Sequence, residues 1–183
     1  MANIGLNNFR FSKLTEAADG TPSYDGAQKP AKAVECTVTP NNNDGSLYAD
    51  DGVAESDSSF SNADVTMGLD DDNSEMIAVL LGHTITAEGE MTRNINDVAP
   101  YVGLGRVIKK QVANVIKYKV EILYKVKFAE PEQSNTTQGE SVEYSTPSIE
   151  GKAVALANGD WSKTKTFDTQ EAAIAYIEDT FKA

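Results

Sequence analysis

Two side chains in this sequence have the chemistry of a nucleophile and its base: the single cysteine, Cys36, and the single histidine, His83. A Ser or Cys attack assisted by imidazole would have to use His83. No glycine-flanked nucleophile turn surrounds either residue, and Cys36 sits in a strand-like run, so His83 is read as an ordinary capping or surface residue. One Cys and one His also exclude an internal disulfide framework and a structural zinc site. Asp70, Asp71, Asp72 and Glu75 could be taken for a calcium loop. The spacing fails, because Ser74 and Glu75 stand where such a loop needs Asp or Asn and then Gly. The same acids suit a helix N-terminus, where negative charge meets the macrodipole. Gly103-Leu104-Gly105 is too short for a dinucleotide fingerprint and precedes a strand. Asn135-Thr136-Thr137 has the glycosylation spacing but no secretory context. No catalytic residue, cofactor site or metal site is therefore expected, and the chain is not read as an enzyme.

The elements that position these residues are mostly strands. At 183 residues the prior is one domain, 1–183, with a single core. Residues 1–30 hold turn signals at Asp19-Gly20, Thr21-Pro22 and Asp25-Gly26, and predict an arm or open hairpin ahead of that core. Residues 33–39 alternate through Val34, Cys36 and Val38 and predict a strand ended by Pro40. The Asn-, Asp-, Ser- and Gly-rich stretch 41–59 predicts a long loop, and 60–69 a second strand. Asn73 and the acids before it, followed by Met76, Ile77, Leu80 and Leu81 and then Gly82, spell a capped helix. A short strand is expected within 85–91.

Residues 101–111 and 115–128 then read as one hairpin. In the second of these, Ile116, Tyr118, Val120, Ile122, Tyr124, Val126 and Phe128 alternate without a break with mainly Lys and Glu, predicting one apolar face along about 47 Å. After a polar stretch at 131–139, residues 141–157 are strand-like, Asn158-Gly159 marks a turn, and 168–181 form a helix. That helix has an Asp168/Glu171 capping box and a stripe of Ala173, Ile174, Ile177 and Phe181. The sum predicts a mainly β fold: two packed antiparallel sheets, sandwich- or barrel-like, with one or two flanking helices.

Charge is segregated on this framework. Residues 33–92 contain no Lys or Arg but thirteen of the 28 acids, whereas 106–127 carry seven of the 16 basic residues against Glu121 alone. The net charge of -12 argues against a partner bound through its phosphates. Opposite surfaces of this kind can bind copies of one chain. Candidate contacts are Asp50, Asp51, Glu55 and Asp57 on the acidic side, and Lys109, Lys110, Lys117, Lys119, Lys125 and Lys127 on the basic side. The longest apolar run, 76–81, is far short of the roughly 20 residues of a membrane span, and residues 1–11 lack the pattern of a secretory signal.

Several segments, in order along nearly the whole chain, carry a family likeness: NNFRFSKLTEAADGTPSYDGA (7–27), LYADDGVAESD (47–57), NDVAPYVGLGRV (96–107), LYKVKFAEP (123–131), TPSIEG (146–151) and LANGDWSKTKTFDT (156–169). The set resembles the major tail proteins of long-tailed phages with non-contractile tails, in the family found among phages of Gram-positive bacteria. That resemblance implies a β-sandwich virion protein that forms hexameric rings stacked into a tail tube, the conduit for DNA ejection. It implies assembly in the host bacterial cytoplasm, and a terminal arm and long loop (41–59) that bridge subunits. The implied partners are further copies of the chain, a tape-measure protein and other tail proteins, with DNA touching the bore only in passing. Glu35 and Asp64, on the acid-bearing strands, are the candidate bore-facing residues, since a lysine-lined bore would retain DNA. The alternative is a β-sandwich module that binds a receptor or carbohydrate on a virion or cell surface. Loop aromatics would favour it, and 41–59 contains only Tyr48.

Overall fold

The computed structural model describes residues 2–29, 32–49, 52–71, 73–133 and 146–182, without the side chains of 2–3, 46–49 and 52–57. The strands are β1 (Ala2–Glu16), β2 (Pro22–Tyr24), β3 (Ala33–Ala49), β4 (Gly52–Leu69), β5 (Thr84–Ile85), β6 (Met91–Thr92), β7 (Val102–Val112), β8 (Val115–Phe128), β9 (Ser148–Ala153) and β10 (Ser162–Phe167). The helices are α1 (Ser74–Leu81) and α2 (Gln170–Thr180). The fold is mainly β, as the patterning predicts. Seven strands form one antiparallel sheet in the order β2-β1-β7-β8-β9-β4-β3, β10 adds to β8, and β5 and β6 pair separately.

The sandwich is made by one sheet bent over itself. Phe9 and Phe11 of β1, Val102 and Leu104 of β7, and Leu123, Val126 and Phe128 of β8 share a buried cluster with Val65 and Met67 of β4 and Ile149 of β9. The apolar side of α1 closes the same cluster through Met76, Ile77, Leu80 and Leu81. The sheet does not close into a barrel; its ends are β2 and β3.

β8 is where the sheet divides. Residues 118–123 pair with β10, whereas 126–128 pair with β9. Between them Val102 and Leu104 of β7 stand opposite Val126 and Leu123, so three steps on β8 match two on β7. That is a β-bulge at Tyr124 and Lys125, and one extra residue inverts which face every later side chain occupies. The unbroken alternation therefore does not mark one face. Val120 and Ile122 lie in a second apolar cluster under α2, while Val126 and Phe128, of the same parity, join Leu123 in the core between the layers.

The stretch 41–59 differs from its expectation as a loop. β3 and β4 stay paired from Ala33↔Leu69 to Ala49↔Gly52, through Pro40 opposite Ala63. Proline is tolerated because β3 ends the sheet and its missing N–H need not serve a second neighbour. β9 pairs only with 63–68 of β4, so the remainder of the hairpin is a two-stranded ribbon reaching roughly 27 Å past the sheet. Residues 1–30 form the hairpin alternative, β1 pairing with β2 from Leu14↔Tyr24 to Glu16↔Pro22, and not an arm ahead of the core. β1 lies inside the sheet between β2 and β7, and its Phe9, Phe11 and Leu14 are buried.

Both helices form where the capping signals lie. The Asn73 side chain accepts from the backbone N–H of Glu75 and Met76, and Gly82 closes α1 in the left-handed region at φ 77°. In α2 the cap is Thr169, which accepts from Ala172 N–H, rather than Asp168, which pairs with Lys117. α2 lays Ala173 and Ile177 over Val107, Val120 and Ile122, with Phe181 just beyond its end. Gly103-Leu104-Gly105 is explained here. A Cβ on Gly103 would approach Tyr24 and Phe181 to 2.5 and 2.7 Å, and one on Gly105 would meet Ile177 at 2.6 Å. The two glycines are the groove in which α2 and Phe181 seat.

Candidate assembly surfaces

On β3, β4 and β9 the core-facing residues alternate with a polar row. Thr39, Asp64 and Lys152 are register partners across the three strands, as are Thr37, Thr66 and Glu150, and Glu35 stands opposite Gly68. Their neighbours Cys36, Val38, Val65, Met67 and Ile149 point into the core, so this row lies on the other side of the sheet. Neither helix packs there. Glu35, Asp64 and Glu150 are all exposed, and Lys152 lies 3.6 Å from Asp64. Asn41 donates to Asp64 at 2.7 Å and to Asn62 at 3.0 Å, extending the row toward the ribbon. Glu35 and Asp64, chosen as bore-facing candidates, thus share one polar face on which neither helix packs. Glu150 belongs with them; its alternation with the buried Ile149 was the signal, hidden by the reading of 141–157 as one interrupted strand.

The basic residues separate into groups. Lys110, Lys117 and Lys119 share one face of the β7–β8 hairpin, whereas Lys109 projects from the other, beside Tyr118 in register. The hairpin tip, Ala113 and Asn114, has both φ values positive, 46° and 64°, as a two-residue turn of this twist requires. Near it Ile4, Val115 and Ile116 are exposed apolar residues among the lysines. At the bulge, Lys125 turns inward to Glu16 at 2.5 Å, and its ammonium lies 4.8 Å from the Tyr101 ring centre. Hydrogen bonds from Lys125 and then from Ala157 N–H hold the Glu16 carboxyl below its ordinary range. Lys127 covers the same ring at 5.5 Å. Lys163 and Lys165 of β10 stack on Tyr176, forming a further basic strip that a strand-by-strand reading missed because 162–167 carries no apolar alternation.

Of the acidic candidates, Asp50 and Asp51 lie outside the described residues. Glu55 and Asp57 stand on ribbon backbone paired with Leu47 and Gly45, and their side chains also lie outside the description. Asn135-Thr136-Thr137 is likewise outside it.

The two layers are tied by Arg106. Its Nε and Nη2 donate to Glu121 at 2.7 and 2.5 Å, and Nη1 donates to the Cys36 carbonyl at 2.8 Å, joining β7 and β8 to β3. Burial pushes the Cys36 thiol up, with the nearby Arg106 opposing, and the side chain packs against the core cluster. Among the described residues no group of three or more His, Cys, Asp or Glu side chains is arranged so that it could hold a metal ion, and no described helix is long and apolar enough to cross a membrane. No known family model matches the chain, and no curated protein does.

Proposed function

We propose that the chain is a structural virion subunit that self-assembles into stacked hexameric rings, forming the tail tube of a long-tailed, non-contractile phage. The observation that carries this reading is the helix-free polar face of β3, β4 and β9, ending at β3, an edge strand with no described neighbour on its outer side. In a monomer such an edge is a liability; in a ring it is the joint, where edge pairs with edge. Head-to-tail contacts of that kind are heterologous and close into rings or run on as filaments. Around a bore, Glu35, Asp64 and Glu150 would repel phosphates and let DNA slide. The family resemblance of the ordered segments supports the same reading. So does the ribbon, since a bare two-stranded hairpin is marginally stable in water and gains from a neighbour to lie on. Its acidic sequence is complementary to the lysine-bearing β7–β8 tip, which would steer one ring onto the next.

Electron microscopy of the purified protein at rising concentration tests the proposal. Rings or tubes are expected. A strict monomer at high concentration, also when other tail proteins are present, would reject it.

A further inference from the structure

His83 is not the surface residue its sequence context indicates. It follows the Gly82 cap of α1, and its side chain is only 3% exposed. Nδ1 lies 2.7 Å from Asp97 Oδ2, and Nε2 lies 2.5 Å from Glu130 Oε1. The second approach is outside hydrogen-bond alignment, so it is an ion-pair contact rather than an aligned hydrogen bond. Arg93 Nε lies 3.6 Å from the other Glu130 oxygen. These residues line an open pocket of about 580 Å³ whose apolar wall is Leu81, Ala99 and Phe128. Of the elements around the imidazole, α1 presents Leu81, the segment after β8 presents Glu130, and the 93–99 turn presents Arg93 and Asp97. These three are the charged groups among the described residues that line the pocket.

The turn itself is prewired. Asp97 Oδ2 accepts from Asn94 N–H at 2.8 Å, and Asn94 Oδ1 accepts from Asn96 N–H at 2.9 Å. Val98 O lies where a Cβ on Gly82 would be, at 2.5 Å, so the turn sits hard against the end of α1. Fixed this way, it displays Ile95 at 99% and Val98 at 74% exposure. An imidazole with carboxylate oxygens against both nitrogens satisfies both only when both nitrogens carry protons.

We propose that His83 is a proton-operated latch: its imidazolium, held between Asp97 and Glu130, fastens the 93–99 turn to the end of β8, and loss of the proton frees Glu130 and loosens the turn. The neutral ring has one N–H. It keeps Asp97, whose carboxylate is already fixed by Asn94, and turns a lone pair toward Glu130, which at 53% exposure can swing to solvent with Arg93. The sign follows directly. Raising pH removes the ring proton and opens the Glu130 side. The Asp97 side holds far into acid, because hydrogen bonds from His83 first and Asn94 second keep its carboxyl below the ordinary range, so that part is lost only as pH falls through the lowered value. The latch is closed between these limits and stands independently of the tail-tube reading.

Because the chain has one histidine, ring-labelled His gives a single NMR probe. At the acid end of the window both ring nitrogens are expected to carry protons. As the second proton leaves, hydrogen exchange at 94–98, corrected for the intrinsic pH dependence, should rise about tenfold, the loss of one charged contact. In Glu130→Gln, an exposed change that keeps the fold, the corrected exchange should sit near the open value at both pH limits. A ring that keeps one bare nitrogen throughout, equal corrected exchange across the titration, or a full step surviving in Glu130→Gln would each overturn the latch.

Discussion

The two arms of the sheet use the same alternation and line the same core, yet their far sides are opposites. Behind β1, β7 and β8 the outer positions are Leu14, Val107, Val120 and Ile122, roofed by α2. Behind β3, β4 and β9 they are Glu35, Asp64, Thr66 and Glu150, and no described element roofs them. The first arm is buried on both sides and is committed to holding the fold. Among the described residues the second is committed on one side only, which leaves that sheet face open to other duties. The difference shows that apolar period alone does not say what a strand is for; the composition of the off-core positions does.

That contrast is testable at graded strengths. Ile177→Ala removes a fully buried side chain from the roof and should cost about 2–5 kcal/mol in denaturant unfolding. A cost below 1 kcal/mol would mean α2 is an ornament. Arg106→Met cuts the tie between the arms and leaves Glu121 with only the distant Lys119 at 3.9 Å, an expected loss of about 3 kcal/mol. Arg106→Lys should recover part of it but lose the fork to Glu121 and the separate bond to the Cys36 carbonyl. Lys125→Met, at the bulge, should cost about 1 kcal/mol at neutral pH. Glu16 has a depressed carboxyl, so its pair contributes above the unfolded-state value and is lost as pH falls through the folded one. The variant and the wild type should therefore converge in acid, and a difference independent of pH would assign the effect to packing.

On the bare arm, Glu35→Gln and Asp64→Asn should change stability by less than about 0.5 kcal/mol. The combined reversal Glu35→Lys, Asp64→Lys and Glu150→Lys should instead make assembled particles retain DNA at low salt. Unchanged DNA behaviour would separate this face from the bore. Raising ionic strength until the Debye length is about 3 Å should weaken stacking if the acidic ribbon meets the lysine-bearing hairpin tip. Assembly indifferent to salt would leave those charges to solvent.

Local signals were legible wherever one chemical cause acts over a few residues. Asn73 and Gly82 bracket α1, the apolar stripe locates α2, and the β7–β8 pair turns at Ala113-Asn114. The errors share a different origin. Polar composition hid the ribbon, because its strands are held by register carried outward from 33–40 rather than by their own propensity. β10, with lysine and threonine at its exposed positions, is a strand because the edge of β8 is there to receive it. Of the candidate site, Glu35 and Asp64 were found through charge, while Glu150 and the inward turn of Lys125 needed the pairing of distant strands.

The amino-acid sequence by itself determined the mainly β class, both helices with their caps, the hairpin, and the split of charge, since each depends on neighbours a few positions apart. Only the tertiary structure decided which face each residue occupies. One bulge in β8 reverses the parity of its last turn of pairing, and strand order alone brings Asp64 beside Glu150's row and His83 between Asp97 and Glu130. Faces and clefts are set by long-range pairing and packing, which no local spacing encodes.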